Sequence, residues 1–110
     1  MILVVLKYLI PRGFNSIAVF PFIFLKFKES KNDLVLLNHE KIHLRQQLEL
    51  LFVPFFIWYG LEFVIRFFQY RDWKIAYRNI SFEREAYENE KDINFLNNRV
   101  LLNHLKFIKK

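Results

Sequence analysis

LLNHEKIHLRQQ, residues 36–47, carries two of the three histidines of the chain, four positions apart, with Glu40 directly after the first. Its neighbours are Leu, Glu, Gln, Lys and Arg, all good helix formers, and that character runs from Leu34 to about Val53. Asn32 or Asp33 stands where an N-cap belongs. A helix turns 100° per residue, so His39 and His43 present their imidazoles one above the other, at the spacing one tetrahedral zinc can bridge. Glu40 is offset by one position, beside such a metal and placed to take a proton from water. This is why the HExxH spacing recurs in metal-dependent hydrolases. The plain alternative is a helix with two structural histidines.

Working outward, Pro54 has to kink or end this helix, because it removes a backbone donor. Gly60 is a second weak point, and helical pattern resumes through Phe68. Residues 71–79 form a connector with room for one helical turn. Ser81 reads as the N-cap of a further helix over 82–96, with Glu83 in its first turn, where the helix dipole favours an acid. The tail from Asn97 is basic and reads as a short helix or a frayed end. Upstream, residues 1–10 permit either a strand or a short helix. Residues 16–28 are rich in Phe, Ile and Val and read as extended, with Pro21 making them an edge strand or two short pieces. Residues 29–33 are turn material. The expected fold class is therefore mainly α, an α+β chain with a small N-terminal β element, in a single domain over 1–110.

Composition narrows the function classes. Apolar residues make up 54% and aromatics 19%, more than a small soluble sphere hides comfortably. The net charge of +6 is spread along the chain without a compact basic, polar run, so a nucleic-acid footprint is not expected. Basic and apolar character together fit an anionic membrane surface. The apolar stretch at about 48–68 is the candidate membrane-inserted segment, although its uncharged core is short of the roughly 18–20 residues that cross a bilayer. Cysteine is absent, so disulfides contribute nothing and the redox compartment stays open.

A hydrolytic zinc needs a third protein ligand and an open position. No third histidine follows within a turn or two, which leaves the downstream acids Glu83 and Glu85 as candidates. HEKIH followed by a separate helix with Glu83–Arg84–Glu85–Ala86 resembles the gluzincin class of zinc peptidases. More narrowly, it is similar to the HExxH…ExxAD pattern of membrane-embedded CAAX-type and heat-shock-induced endopeptidases, and to small bacterial proteins with NHExIHxxQQ and FExEAY motifs. The resemblance implies Glu83 as the third zinc ligand beside His39 and His43, and Glu40 as the general base. It also implies a helix-on-helix site and a peptide substrate aligned along the edge strand near residues 17–25. The family's Asp after the alanine is Tyr87 here, four residues after Glu83, where it could support a ligand or stabilise an oxyanion.

Glu85 is expected to face solvent, as is His104. Glu62 and Arg66 are expected to form an i,i+4 ion pair. Gln46 and Gln47 either line the site or lie exposed. Arg78 and Arg84 either hold a carboxylate or are ordinary surface cations. A straight helix from Leu34 to Gln69 would carry the chain about 39 Å from His43. The fourteen residues back to Glu83 span at most about 46–50 Å. The metal reading therefore predicts a bend near Pro54–Gly60, or an extended 70–82 segment. The expected function is a minimal membrane-associated zinc metallopeptidase. Its rivals are a non-catalytic membrane scaffold or subunit with a structural or vestigial metal, and a metal-free lipid-surface module.

Overall fold

A computed structural model of the chain describes residues 2–6, 8, 10–11 and 13–108. The protein is mainly α with a small N-terminal sheet, as the sequence leads one to expect. Strand β1 (Ile2–Val5) pairs parallel with β3 (Phe22–Leu25), and β2 (Ser16–Val19) pairs antiparallel with β3, giving the order β1-β3-β2. The extended 16–28 segment is thus two short strands turning at Phe20–Pro21. Of these two strands, β2 lies at an edge of the sheet and β3 is central. A 3-10 turn over Lys28–Asn32 leads into α1 (Leu34–Glu49), whose N-cap Asp33 accepts from the Leu36 N–H.

The chain reverses between α1 and α2 (Val53–Tyr70), whose axes meet at 115°. The bend falls just before Pro54 rather than between Pro54 and Gly60. Leu51 (φ 58°) and Phe52 (φ 57°) take left-handed backbone to make it. Pro54 then sits in the first turn of α2, where its missing N–H would have had no intrahelical partner anyway. α2 continues unbroken through Gly60. With the reversal this early, residues 70–82 need not be stretched, and they contain α3 (Trp73–Arg78).

Helix α4 (Ser81–Asn89) starts where expected but is capped differently. Ser81 is its first helical residue, and the anionic cap comes from another helix. Glu62 of α2 accepts from the Ser81 N–H at 2.7 Å and from its Oγ, and also from Trp58 Nε1 at 2.8 Å. The expected Glu62–Arg66 pair is therefore replaced by a staple between α2 and α4. Arg66 bonds Gln69 and the Ile108 carbonyl instead. α4 also stops at Asn89 instead of running to 96. The amide of Asn38, on α1, donates to the carbonyls of Asn89, Glu90 and Asp92 and gathers the helix end onto α1. Short helix α5 (Phe95–Asn98) and a 3-10 turn over Asn103–Phe107 close the chain against α4.

Two apolar cores flank α1. Ala18, Ile23, Leu25, Leu37 and Leu44 join it to the sheet, and Phe55, Ile80 and Phe82 join α2 to the start of α4. Polar side chains that face neither core are held between them. No helix among the described residues is by itself long and apolar enough to cross a membrane.

Candidate metal centre

His39 and His43 rise from one face of α1, and Glu83 comes from the first turn of α4, which Glu62 and Asn38 fix at either end. The three donor atoms meet. His39 Nε2 lies 3.2 Å from His43 Nε2, and Glu83 Oε1 lies 3.2 and 3.1 Å from the two imidazole nitrogens. All three residues are buried. The far ring nitrogens are also engaged: His39 Nδ1 is 2.7 Å from Glu90 Oε2, and His43 Nδ1 is 2.8 Å from Gln46 Oε1.

This donor set fits a metal. If both Nδ1 atoms donate, both Nε2 lone pairs and a carboxylate oxygen converge on one point, and three acceptors at such spacing need a positive charge between them. Tetrahedral zinc at 2.0–2.1 Å from its ligands requires donor–donor edges of about 3.3–3.4 Å, within a few tenths of an ångström of those observed. In the metal-free protein a proton fills this role. Burial pushes His43 down, but the adjacent Glu83 carboxylate outweighs it and raises the imidazole to about 9. Burial likewise pushes Glu83 up, and the His43 charge with the two imidazole hydrogen bonds pulls it far below the usual carboxylate range.

Glu40 lies beside this set rather than in it, as its offset predicts. Its Oε2 accepts from Ser16 Oγ of β2 at 2.7 Å, and the residue is only 7% exposed. It stands in the wall shared by two cavities. One, of about 390 Å³, reaches His43 and Glu83 and is walled mostly by apolar groups such as Phe14, Ile17, Phe55, Phe56, Phe63 and Trp73, with Ser16 and Gln47 among them. The other, of about 330 Å³, reaches His39 and has polar walls, including Asn15, Asp33, Tyr87 and Glu90.

Tyr87 packs its ring edge-on against His39 at 4.5 Å between centroids, with the Arg78 guanidinium 3.8 Å from its own centroid. Burial pushes its hydroxyl up, and Tyr77 is its hydrogen-bond partner. Arg84 is engaged away from the donors, with Asn79 Oδ1 and the Phe107 carbonyl. Gln47 does not line the metal centre with its amide, which bonds the β2 edge at the Phe20 N–H and the Ala18 carbonyl.

Two expectations are corrected. Glu85 does not face solvent: it is 0% exposed, held by Arg99, Asn103 and Gln46. α4 is covered on that side by the chain end, so both faces of its first turn are interior. His104 is also fully buried, packed between Trp58 and Phe82, and burial pushes its pKa down.

Two supporting residues carry weaker sequence signals. Tyr59 Oη donates to Glu83 Oε2 at 2.6 Å, leaving Oε1 for the imidazoles. Inside an apolar run, nothing sets this tyrosine apart. Glu90, which orients His39, follows Glu83 by two helical turns, a spacing that does place it on the same side. No protein-family model matches the chain, and no curated protein or solved structure matches it either.

Proposed function

We propose that this protein is a minimal zinc metallopeptidase working at a membrane surface. The observation that carries the reading is the convergence of His39 Nε2, His43 Nε2 and Glu83 Oε1 within 3.2 Å of one another, with Glu40 next to them in the wall of both cavities.

His39, His43 and Glu83 would hold the metal, and Tyr59 and Glu90 keep the carboxylate and one imidazole aimed. A zinc ion supplies Lewis acidity that polarises the scissile carbonyl and makes the attacking water easier to deprotonate. Glu40 accepts that water's proton on its carboxylate and returns it to the departing amine nitrogen as the C–N bond breaks. Ser16 fixes one Glu40 oxygen, which leaves the other to carry the proton. The cavity beside His43 suits an apolar side chain flanking the cleaved bond, because its walls are mostly apolar, and Glu40 and Glu83 would repel an acidic one.

The membrane part rests on α2. Val53, Ile57, Leu61, Val64 and Phe68 recur at helical spacing, and each is between 49% and 66% exposed. Such a stripe on a chain of net charge +6 suits an anionic lipid surface.

The test is metal analysis with turnover of a mixed peptide library, wild type beside Glu40→Gln. Wild type should carry about one zinc per chain and cleave; Glu40→Gln should keep the zinc and lose at least 10²-fold in rate. Equal behaviour of the two proteins toward the library would remove catalysis from the reading.

A further inference from the structure

Glu85 poses a problem that the metal centre alone does not solve. A fully buried carboxylate is costly unless it is paired and hydrogen-bonded, so each partner of Glu85 counts. It belongs to a chain of hydrogen bonds that ends on a metal-ligand candidate. Arg99 grips both Glu85 oxygens, with Nη2 at 3.0 Å from Oε1, and Asn103 Nδ2 adds a third bond at 3.0 Å. Gln46 Nε2 donates to Glu85 Oε1 at 2.8 Å and to the Phe82 carbonyl at 3.1 Å. Gln46 Oε1 faces His43 Nδ1 at 2.8 Å.

A neutral imidazole has one N–H and one lone pair, and it can ligate through Nε2 only with the proton on Nδ1. His39 is settled directly, because Glu90 can only accept when ionised. His43 faces a side-chain amide, which is ambiguous: turned one way it presents oxygen, turned the other way nitrogen. A turned amide would donate to Nδ1, move the proton to Nε2 and close the lone pair that faces Glu83. Gln46 is 0% exposed, so water cannot repair a wrong orientation. Both groups that meet its nitrogen, Glu85 Oε1 and the Phe82 carbonyl, can only accept, so the oxygen is left for His43.

We infer that Glu85, with both oxygens gripped by Arg99, acts through the amide of Gln46 to fix His43 as the Nδ1–H tautomer and so keep Nε2 open as a ligand. Glu85 and Gln46 are positioning residues, and the direction of each hydrogen bond is set by the one before it. The inference rests on the reading of His43 as a zinc ligand, but the tautomer belongs to the metal-free protein and is measurable there.

The experiment is ¹⁵N NMR of the histidine rings in metal-free protein at about pH 10, together with zinc affinity by chelator competition. Wild type should show His43 protonated at Nδ1. Glu85→Gln can turn a donor toward Gln46, so it should shift His43 toward the Nε2–H form and weaken zinc about 10–100-fold. Adding Gln46→Glu to Glu85→Gln puts a carboxylate oxygen, which can only accept, opposite His43 Nδ1 at the same net charge, and should recover the tautomer and part of the affinity, although the bonds to the Phe82 carbonyl and from Arg99 Nη2 are lost. A wild-type His43 protonated at Nε2 overturns the inference without any variant. So does a Glu85→Gln protein that loses thermal stability while tautomer and affinity stay unchanged, since Glu85 would then only anchor the chain end. A wild type with the expected tautomer but no zinc binding would overturn the metal reading and leave the relay standing.

Discussion

On the proposed reading, zinc would have to displace a proton from this centre, and the structure sets how strongly the two would compete. His43 is held at about 9 by Glu83 against the opposing effect of burial. At pH 7, two units lower, only about one molecule in a hundred has the His43 lone pair free, so the apparent affinity is about 100-fold below that of the unprotonated site. Between pH 7 and 8.5 it should rise about 25-fold. Competition against a chromogenic chelator at fixed ionic strength reads this slope, and calorimetry in two buffers of different ionisation heat should count about one proton released per zinc at pH 7. Stability follows with opposite signs in the two forms. Without metal, the His43 contribution is fully present below 6.5, its unfolded value, and is lost as pH rises through about 9. The Glu83 contribution is present above 4.5 and is lost as pH falls through its depressed folded value. This pair therefore stabilises the metal-free protein most between 4.5 and 6.5, whereas the stabilisation added by a fixed zinc concentration grows from pH 7 toward 9. A zinc affinity flat over pH 7–8.5, with no proton released, would refute the placement of that proton on His43.

Two further outcomes test the fold and its setting. Glu62→Ala leaves the buried Ser81 N–H and hydroxyl without their acceptor, and should destabilise by about 3 kcal/mol in denaturant unfolding, with Glu62→Gln losing less. Wild type should co-sediment with anionic vesicles at low salt, and Ile57→Glu with Leu61→Glu should weaken that at least tenfold with helix content unchanged; a wild type that stays in the supernatant ends the membrane reading.

The sequence made the centre readable because its two halves obey local rules. Four-residue spacing puts His39 and His43 on one helical face whatever surrounds them. The need to return to Glu83 predicts a reversal after α1, and the reversal is there. Its location was less legible: Leu51 and Phe52, neither of them glycine, adopt left-handed backbone, and nothing local marks them for it. Tertiary contacts decided the remaining differences. Ser81 looks like a cap, yet a glutamate nineteen residues earlier does the capping. Glu85 and His104 look like surface residues because their burial depends on the chain end folding over α4. The role of Tyr59 depends on how α2 lies across α4, which its apolar neighbours do not encode in any short motif.

The amide of Gln47 has a consequence for whatever polypeptide visits this protein. Along β2, Asn15 and the odd positions turn their peptide groups toward β3, as the Lys26 N–H to Asn15 carbonyl bond shows, so the even positions look outward. There, Gln47 stands in for a neighbouring peptide unit, taking the Phe20 N–H and the Ala18 carbonyl at 2.7 Å each. The peptide groups of Ser16 and the Ala18 N–H are left for an incoming backbone. Under the peptidase reading, a guest chain could not pair along the whole of this border, and its identity would be read through the side chain it drops into the aromatic hollow. The same plug obstructs pairing of a second copy along the β2 border.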